Sequence, residues 1–248
     1  MGTRTDQLPK PLINFSGRRL VDWQLAALNK SGVSDITIIR GYMPKKWTGV
    51  KARLSYNPDW SETNMVATIF CARELLNGDE PVLIAYGDII YEPSVIEEIL
   101  SDDSEICITV DRQWRALWEL RFSDPLSDAE SLKINAKGGI TEIGGRLDRL
   151  EDADAQFVGL MKFKPEGQKI LTNFYDHTRP GDKWLNGRPK EKCYTTDLLD
   201  GMINKGFDIS ASFIQGGWLE FDSSNDLILY ERLERAGMLE TFVRLNKF

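Results

Sequence analysis

The chain has 248 residues, of which 42% are hydrophobic and 28% charged, with a net charge of −7. This length supports one large domain or two small ones with a core of useful size. The acidic balance argues against wholesale binding to DNA or RNA backbones, and no apolar run approaches the roughly 20 residues that a membrane-crossing helix needs.

Met1 is followed at once by polar "GTRTDQ", which reads as no signal peptide. Cys71, Cys107 and Cys193 are too far apart to form a metal-type pair or an evident disulfide framework, so the expected compartment is the reducing cytoplasm. The single histidine, His177, sits in polar "YDHTRPGDKW" and reads as a surface residue, which leaves Ser–His or Cys–His catalysis little support.

Taken in chain order, "GRRLVDWQLAALNKSG" predicts a helix with Leu20, Trp23, Leu25, Ala27 and Leu28 on its apolar face and Gly32 as its stop. "DITIIRGY" predicts a buried strand ending at Gly41, and "ARLSYN" a short one. "TNMVATIFCARELLNG" predicts a helix with Thr63 as its cap and Gly78 as its stop. "PVLIAYGD" is a continuous apolar run, hence a strand buried on both faces; "PSVIEEILSD" is a helix with Pro93 in its first turn; "EICITVD" is another buried strand. "SLKINAKGGITEIGG" predicts a hairpin, "FVGLMKF" a strand and "YTTDLLDGMINKG" a helix. "DISASFIQGGWLEFD" predicts a strand pair or one long strand, and an amphipathic helix from about Asn225 to Gly237 follows. This alternation predicts an α/β fold with a doubly wound, mixed and mostly parallel sheet in a single domain. The pattern changes after Asp111, so residues 1–111 and 112–248 read as its two halves.

Asp88 falls just past one apolar strand and Asp222 just past another. In open α/β sheets ligands bind beyond the carboxyl ends of strands. If both ends meet at one crevice, Asp88 and Asp222 can share a Mg²⁺ ion, which takes hard oxygen ligands and retains waters and substrate phosphates. Such an ion would also balance the charge of Glu220 and Asp222, set two residues apart. Helix capping by Asp222 and a turn role for Asp88 are the plainer alternatives.

The ordered set Gly2-Thr3-Arg4, Pro9-Lys10-Pro11-Leu12, Gly17, Gly41-Tyr42, Asp88 and Asp222 resembles the sugar-phosphate and small-alcohol-phosphate nucleotidylyltransferases, over nearly the whole chain. The resemblance implies a Rossmann-like, GT-A-like fold. The first strand of that family and the front of its glycine loop would precede Gly2, so the expectation is either a truncated start or a fold lacking that strand. It further implies nucleotidyl transfer with Mg²⁺: an acceptor phosphate or phosphonate oxygen attacks the α-phosphorus of a nucleoside triphosphate, CTP by the closest branch, and pyrophosphate leaves. Gly2, Thr3 and Arg4 would embrace the triphosphate, Lys10 would sit against the α-phosphate, and Asp88 and Asp222 would hold the metal. Asn57, Thr63 and Asn64 lie where the family reads the base, and Gly159 lies on the strand beside the acceptor.

Trp114 and Trp118, at i and i+4, would share one helix face, as core or as an aromatic wall for a cationic head. The surrounding segment looks like the branch that acts on phosphocholine and aminoalkylphosphonates, with Glu119, Tyr194, Asp197 and Glu220 as candidate partners of the ammonium. Arg112 and Arg115 are candidates for the acceptor phosphate; Asp128 and Glu130 find no place. The leading function is therefore CMP transfer to a small phosphorylated or phosphonate acceptor. A sugar-1-phosphate nucleotidylyltransferase and a non-catalytic nucleotide-binding homologue are the alternatives. No nucleic acid and no membrane insertion are expected, and the sequence leaves a homodimer open.

Overall fold

A computed structural model describes residues 6–248, so Gly2, Thr3 and Arg4, and any strand ahead of them, lie outside the described residues. A 3₁₀ turn over Lys10–Leu12 leads into β1 (Asn14–Phe15), β2 (Arg18–Arg19) and α1 (Leu20–Lys30). There follow β3 (Thr37–Arg40), β4 (Arg53–Tyr56), α2 (Met65–Phe70), β5 (Val82–Ala85), β6 (Ile89–Tyr91), α3 (Pro93–Ser101), β7 (Ile106–Asp111) and α4 (Trp114–Arg121). The second half carries β8 (Glu130–Ile134), β9 (Ile140–Arg146), β10 (Gln156–Phe163), α5 (Pro165–Asp176), α6 (Thr195–Asn204), β11 (Ser210–Ile214), β12 (Trp218–Glu220) and α7 (Ser224–Arg235).

The central sheet has the order β11-β7-β10-β5. β11, β7 and β5 run one way, and β10 runs antiparallel between β7 and β5. β7 is buried along its whole length because it has a strand on each side and a layer on each face. Its pleat sends Cys107 into one apolar layer, with α1, α3, α4 and α7, and Ile106, Ile108 and Val110 into the other, with α5 and α6. β3 and β4 form a separate parallel pair. β5 and β3 are half-buried rather than fully buried, because among the described residues each has a strand on one side only. No described helix is long and apolar enough to cross a membrane.

Three local features go beyond the sequence reading. Ser16 and Gly17 both take positive φ, 49° and 81°, and turn the chain between β1 and β2. Gly216 and Gly217 do the same at 72° and 81°, so the Gly-Gly pair makes two strands of the segment that could have been one long strand. β11 joins the central sheet while β12 pairs with β6. Helix α5 was not expected, because Gly167 in its first turn lowers helix propensity. A side chain there would meet the Glu105 carbonyl oxygen at 2.1 Å, so the glycine lets α5 lie against the strand entrance.

Candidate active site

Asp88 lies in the turn between β5 and β6, and Asp222 two residues past β12. β12 and β6 are antiparallel with Glu220 opposite Ile89. One step on, the Phe221 N–H donates to the Asp88 carbonyl at 2.8 Å. That register sets the two aspartates side by side, although 134 positions apart in numbering would not suggest it. The 3₁₀ turn of Lys10 is anchored by Leu12 in a small core with Val21, Leu25 and Trp47. It rests on the Asp88 turn where Gly87 has no side chain; a Cβ there would lie 3.0 Å from the Pro11 ring. Lys10 Nζ thus donates to Asp88 Oδ2 at 2.7 Å and to Asp222 Oδ1 at 3.2 Å. Burial alone would lower the Lys10 pKa, but the charges and hydrogen bonds of Asp88 and Asp222 outweigh it and hold the ammonium above the ordinary lysine value.

A protein cation stands between Glu220 and Asp222. Arg121, with a side chain 0% exposed, donates Nη1 to Glu220 Oε2 at 2.6 Å, Nη2 to Asp222 Oδ2 at 3.0 Å and Nε to Asp226 Oδ1 at 3.0 Å. Glu220 is consequently an ion-pair partner within the wall and not an open ligand for an acceptor. Its burial, reinforced by the like charges of Asp222 and Asp88 and opposed by Arg121, holds its carboxyl well above the usual range. Asp222 is pulled the other way: burial opposes ionisation, but Lys10 and Arg121 hold it below the usual carboxylate value.

The sequence reading did not single out Arg121. Its signal was only a cation at the end of an amphipathic helix, with its partners about a hundred residues away.

Other predicted residues are placed elsewhere. Asn57 is 2% exposed, and both its amide protons are engaged, with Thr63 and Thr68 at 2.9 Å each. It staples its loop to α2 and offers no free donor to a base. Thr63 donates to the Asp59 carbonyl at 2.8 Å, and the cap of α2 is Asn64, not Thr63. The Asn64 N–H also donates to the Glu191 carbonyl at 2.7 Å, tying this loop to the second half.

Trp114 and Trp118 are each 4% exposed, edge-to-face at 5.7 Å, and Trp118 packs against Trp218 and under the Arg121 guanidinium. They are core that supports Arg121, not an open aromatic wall. Glu119 pairs with Arg115 at 2.7 Å on the outer face of α4, which removes both from the acceptor. Arg112 lies over the Phe213 ring at 3.7 Å. Asp197 accepts from Arg188 at 2.9 Å and from the Tyr194 N–H at 2.9 Å, so it caps α6 and is already paired. Tyr194 is exposed beneath the Arg188 guanidinium. Gly159 has φ 80°, and a Cβ there would strike the Tyr86 ring at 2.6 Å. It is the vacancy that lets Tyr86 cross β10 toward the site.

Among the described residues no cluster of three or more metal-type side chains occurs. Two carboxylates on one ammonium nevertheless fit an ion such as Mg²⁺. One oxygen of each, Asp88 Oδ2 and Asp222 Oδ1, converges on the position that the Lys10 ammonium holds, and that ion needs only one or two protein carboxylates when phosphates and waters complete its shell.

Beside these residues Glu130 lines an open cavity. Its side chain reaches solvent, but desolvation by the surrounding walls, then the like charges of Asp128 and Asp197, push its carboxyl up to about 7. A raised folded-state value means that stability is lost as pH climbs from 4.5 through about 7. Arg146, opposite in the sheet, makes no ion pair with Glu130 to offset this. Glu130→Gln is therefore expected to raise the melting temperature at pH 8 relative to the parent and to leave it unchanged at pH 4.5. An equal shift at both pH values would refute the assignment.

A CTP:phosphoglutamine cytidylyltransferase of Campylobacter jejuni is 29% identical over 232 residues, covering 90% of this chain and 91% of its own. A CMP-5'-(3-aminopropyl)phosphonate synthase of Streptomyces rubellomurinus is 28% identical over 125 residues, 47% of this chain but 20% of that longer protein. The inositol-1-phosphate CTP transferase of T. maritima superposes with a TM-score of 0.68, over 97% of this chain and 91% of its own, at 20% identity, which establishes the shared fold. Residues 1–146, with Lys10 and Asp88 among them, match the MobA-like NTP transferase domain, and the chain belongs to that nucleotidyltransferase family.

Proposed function

We propose that this protein transfers CMP from CTP to the phosphate or phosphonate of a small acceptor and releases pyrophosphate. The observation that carries the reading is the meeting of Lys10, Asp88 and Asp222 at one point beyond the strand ends. The relatives named for cytidylyl transfer onto a phosphorylated or phosphonate compound support the choice of nucleotide and acceptor class.

An acceptor oxygen forms the new bond to the α-phosphorus. The bond from that phosphorus to the bridging oxygen breaks, and pyrophosphate departs with the electron pair. The nucleophile is already anionic, so no general base is needed, and the task is alignment with charge neutralisation. Lys10 is placed to turn from its two aspartates onto the α-phosphate. Asp88 and Asp222 would then hold Mg²⁺, which when bound supplies further positive charge to the triphosphate. Arg121 keeps one oxygen of Asp222 fixed, so its other oxygen remains aimed at the shared position.

The test is pyrophosphate release from CTP, ATP, GTP and UTP with phosphocholine, 2-aminoethylphosphonate and hexose-1-phosphates. Release with CTP and a non-sugar acceptor is expected; release confined to hexose-1-phosphates would reject the reading. Lys10→Ala is expected to lower kcat about a hundredfold, on the scale of removing one preorganised charge donor. KM for CTP should change far less. A loss seen only in KM would contradict the role given to Lys10.

A further inference from the structure

A cavity of about 410 Å³ opens between the loop that precedes β8 and the end of β9. Its wall carries Asp128, Glu130 and Arg146. Glu130 and Arg146 are direct cross-strand partners, a placement in which opposite charges ordinarily pair. Among the described residues neither side chain makes an ion pair or a hydrogen bond, and the Asp128 carboxylate makes no ion pair.

The backbone explains why. Between the pairs Glu130–Arg146 and Leu132–Ile143, β9 has one residue more than β8. Gly144 sits in this bulge with φ 79°. Such a bulge bends its strand and re-aims the next side chain, and bulges of this kind cluster beside active sites. A Cβ on Gly144 would lie 2.7 Å from the Thr196 Cβ, and one on Gly145 2.6 Å from the Ser131 hydroxyl. Both positions must stay bare for the hairpin to lie against α6 with the cavity open.

The cavity lies behind the wall of the reaction site, where Arg121 stacks over Trp118 and holds Asp222. The Asp128 carboxyl feels the charges of Arg121 and Asp222, and the Tyr86 hydroxyl those of Glu130, Asp88 and Glu220. From the core side the Trp118 indole N–H, buried and without a hydrogen-bond partner, is directed at Asp128. Two unpaired carboxylates favour a cation, and an unpaired guanidinium favours a planar anion through its fork of donors. With Trp114 and Trp118 in the core, no aromatic cage is present here for a quaternary ammonium; carboxylates favour one that can donate N–H bonds.

We propose that this cavity reads the non-reacting end of the acceptor and selects one bearing both an ammonium and a carboxylate. Asp128 and Glu130 receive the ammonium, and Arg146 receives the carboxylate. The acceptor class is thus amino-acid-like, and the proposal rests on the transfer reaction proposed above.

Calorimetric titration of the full chain with O-phosphoserine, phosphoethanolamine and phosphoglycolate separates the contributions. O-phosphoserine, which carries both groups, is expected to bind at least about tenfold more tightly than either of the others, the scale of one charge-assisted contact. Arg146→Gln should bring O-phosphoserine down to the level of phosphoethanolamine and leave phosphoethanolamine unchanged. Glu130→Gln should weaken both amines and spare phosphoglycolate. Equal affinities for the three, no binding of O-phosphoserine, or indifference to both substitutions would overturn the proposal. The two readings fail separately. A preference for O-phosphoserine with no CTP-dependent pyrophosphate release from any acceptor sinks the transfer reaction alone. Release that is equally efficient with phosphoethanolamine and O-phosphoserine sinks the zwitterion pocket alone.

Discussion

Asp88→Asn and Asp222→Asn are each expected to lower kcat/KM for pyrophosphate release by about a thousandfold, the upper range for losing one preorganised electrostatic group. Both substitutions keep the shape of the side chain and remove its charge. Each also deprives Lys10 of one counter-charge, so the ammonium should be held less firmly in place. The fold should survive, because both side chains are part-exposed at strand ends and Lys10 can still pair with whichever aspartate remains. For Asp222→Asn the Arg121 guanidinium keeps Glu220 and Asp226. The check is steady-state kinetics beside a melting curve. Full activity in either variant removes that residue from the site, and a collapse of the melting temperature would show that the pair is structural.

How far the site was legible depends on whether its signal was local. Asp88 was singled out because a continuous apolar run, "PVLIAYGD", reads as a strand, and in open α/β sheets ligands bind beyond strand ends. Asp222 was visible for the same reason, as the last residue before a Ser223 cap that the structure shows accepting from Asp226. Lys10 carried no local pattern, and only the ordered motif around it pointed there. The strands and helices with strong periodicity, such as α1, β7 and α6, lie where their patterns put them. The misplaced residues share one cause: a polar side chain's partner is set by tertiary approach. Asn57 and Asp197 resembled free ligands until Thr68 and Arg188 were brought against them. Asp128 and Glu130 had no sequence neighbour to explain them, because the cavity that they line is made by a bulge in the opposite strand.

Arg121 marks the limit of sequence reasoning most clearly, and its removal carries the largest expected effect on stability. Its partners Glu220, Asp222 and Asp226 lie 99, 101 and 105 positions away, and its side chain has no exposed surface. Arg121→Met retains much of the packing against Trp118 but strands three carboxylates in one wall. Breaking a buried ion pair by removing one partner costs about 3–5 kcal/mol, because the remaining charge is uncompensated. In a domain of this size that corresponds to a fall of about 10 °C in melting temperature. Arg121→Lys should recover only part of this, since an ammonium cannot present the planar fork that reaches three carboxylates at once. Adding Glu220→Gln to Arg121→Met should restore several degrees, because the stranded carboxylate whose ionisation is already opposed by burial and by its like-charged neighbours is then gone. The coupling in that double-mutant cycle isolates the Arg121–Glu220 interaction from the lost packing. A melting temperature for Arg121→Met within two degrees of the parent, or strictly additive effects in the cycle, would show that the carboxylates find water or protons without the guanidinium. The separation of roles would then fail too: Arg121 holds Asp222 from behind, and Lys10 meets it from the cleft.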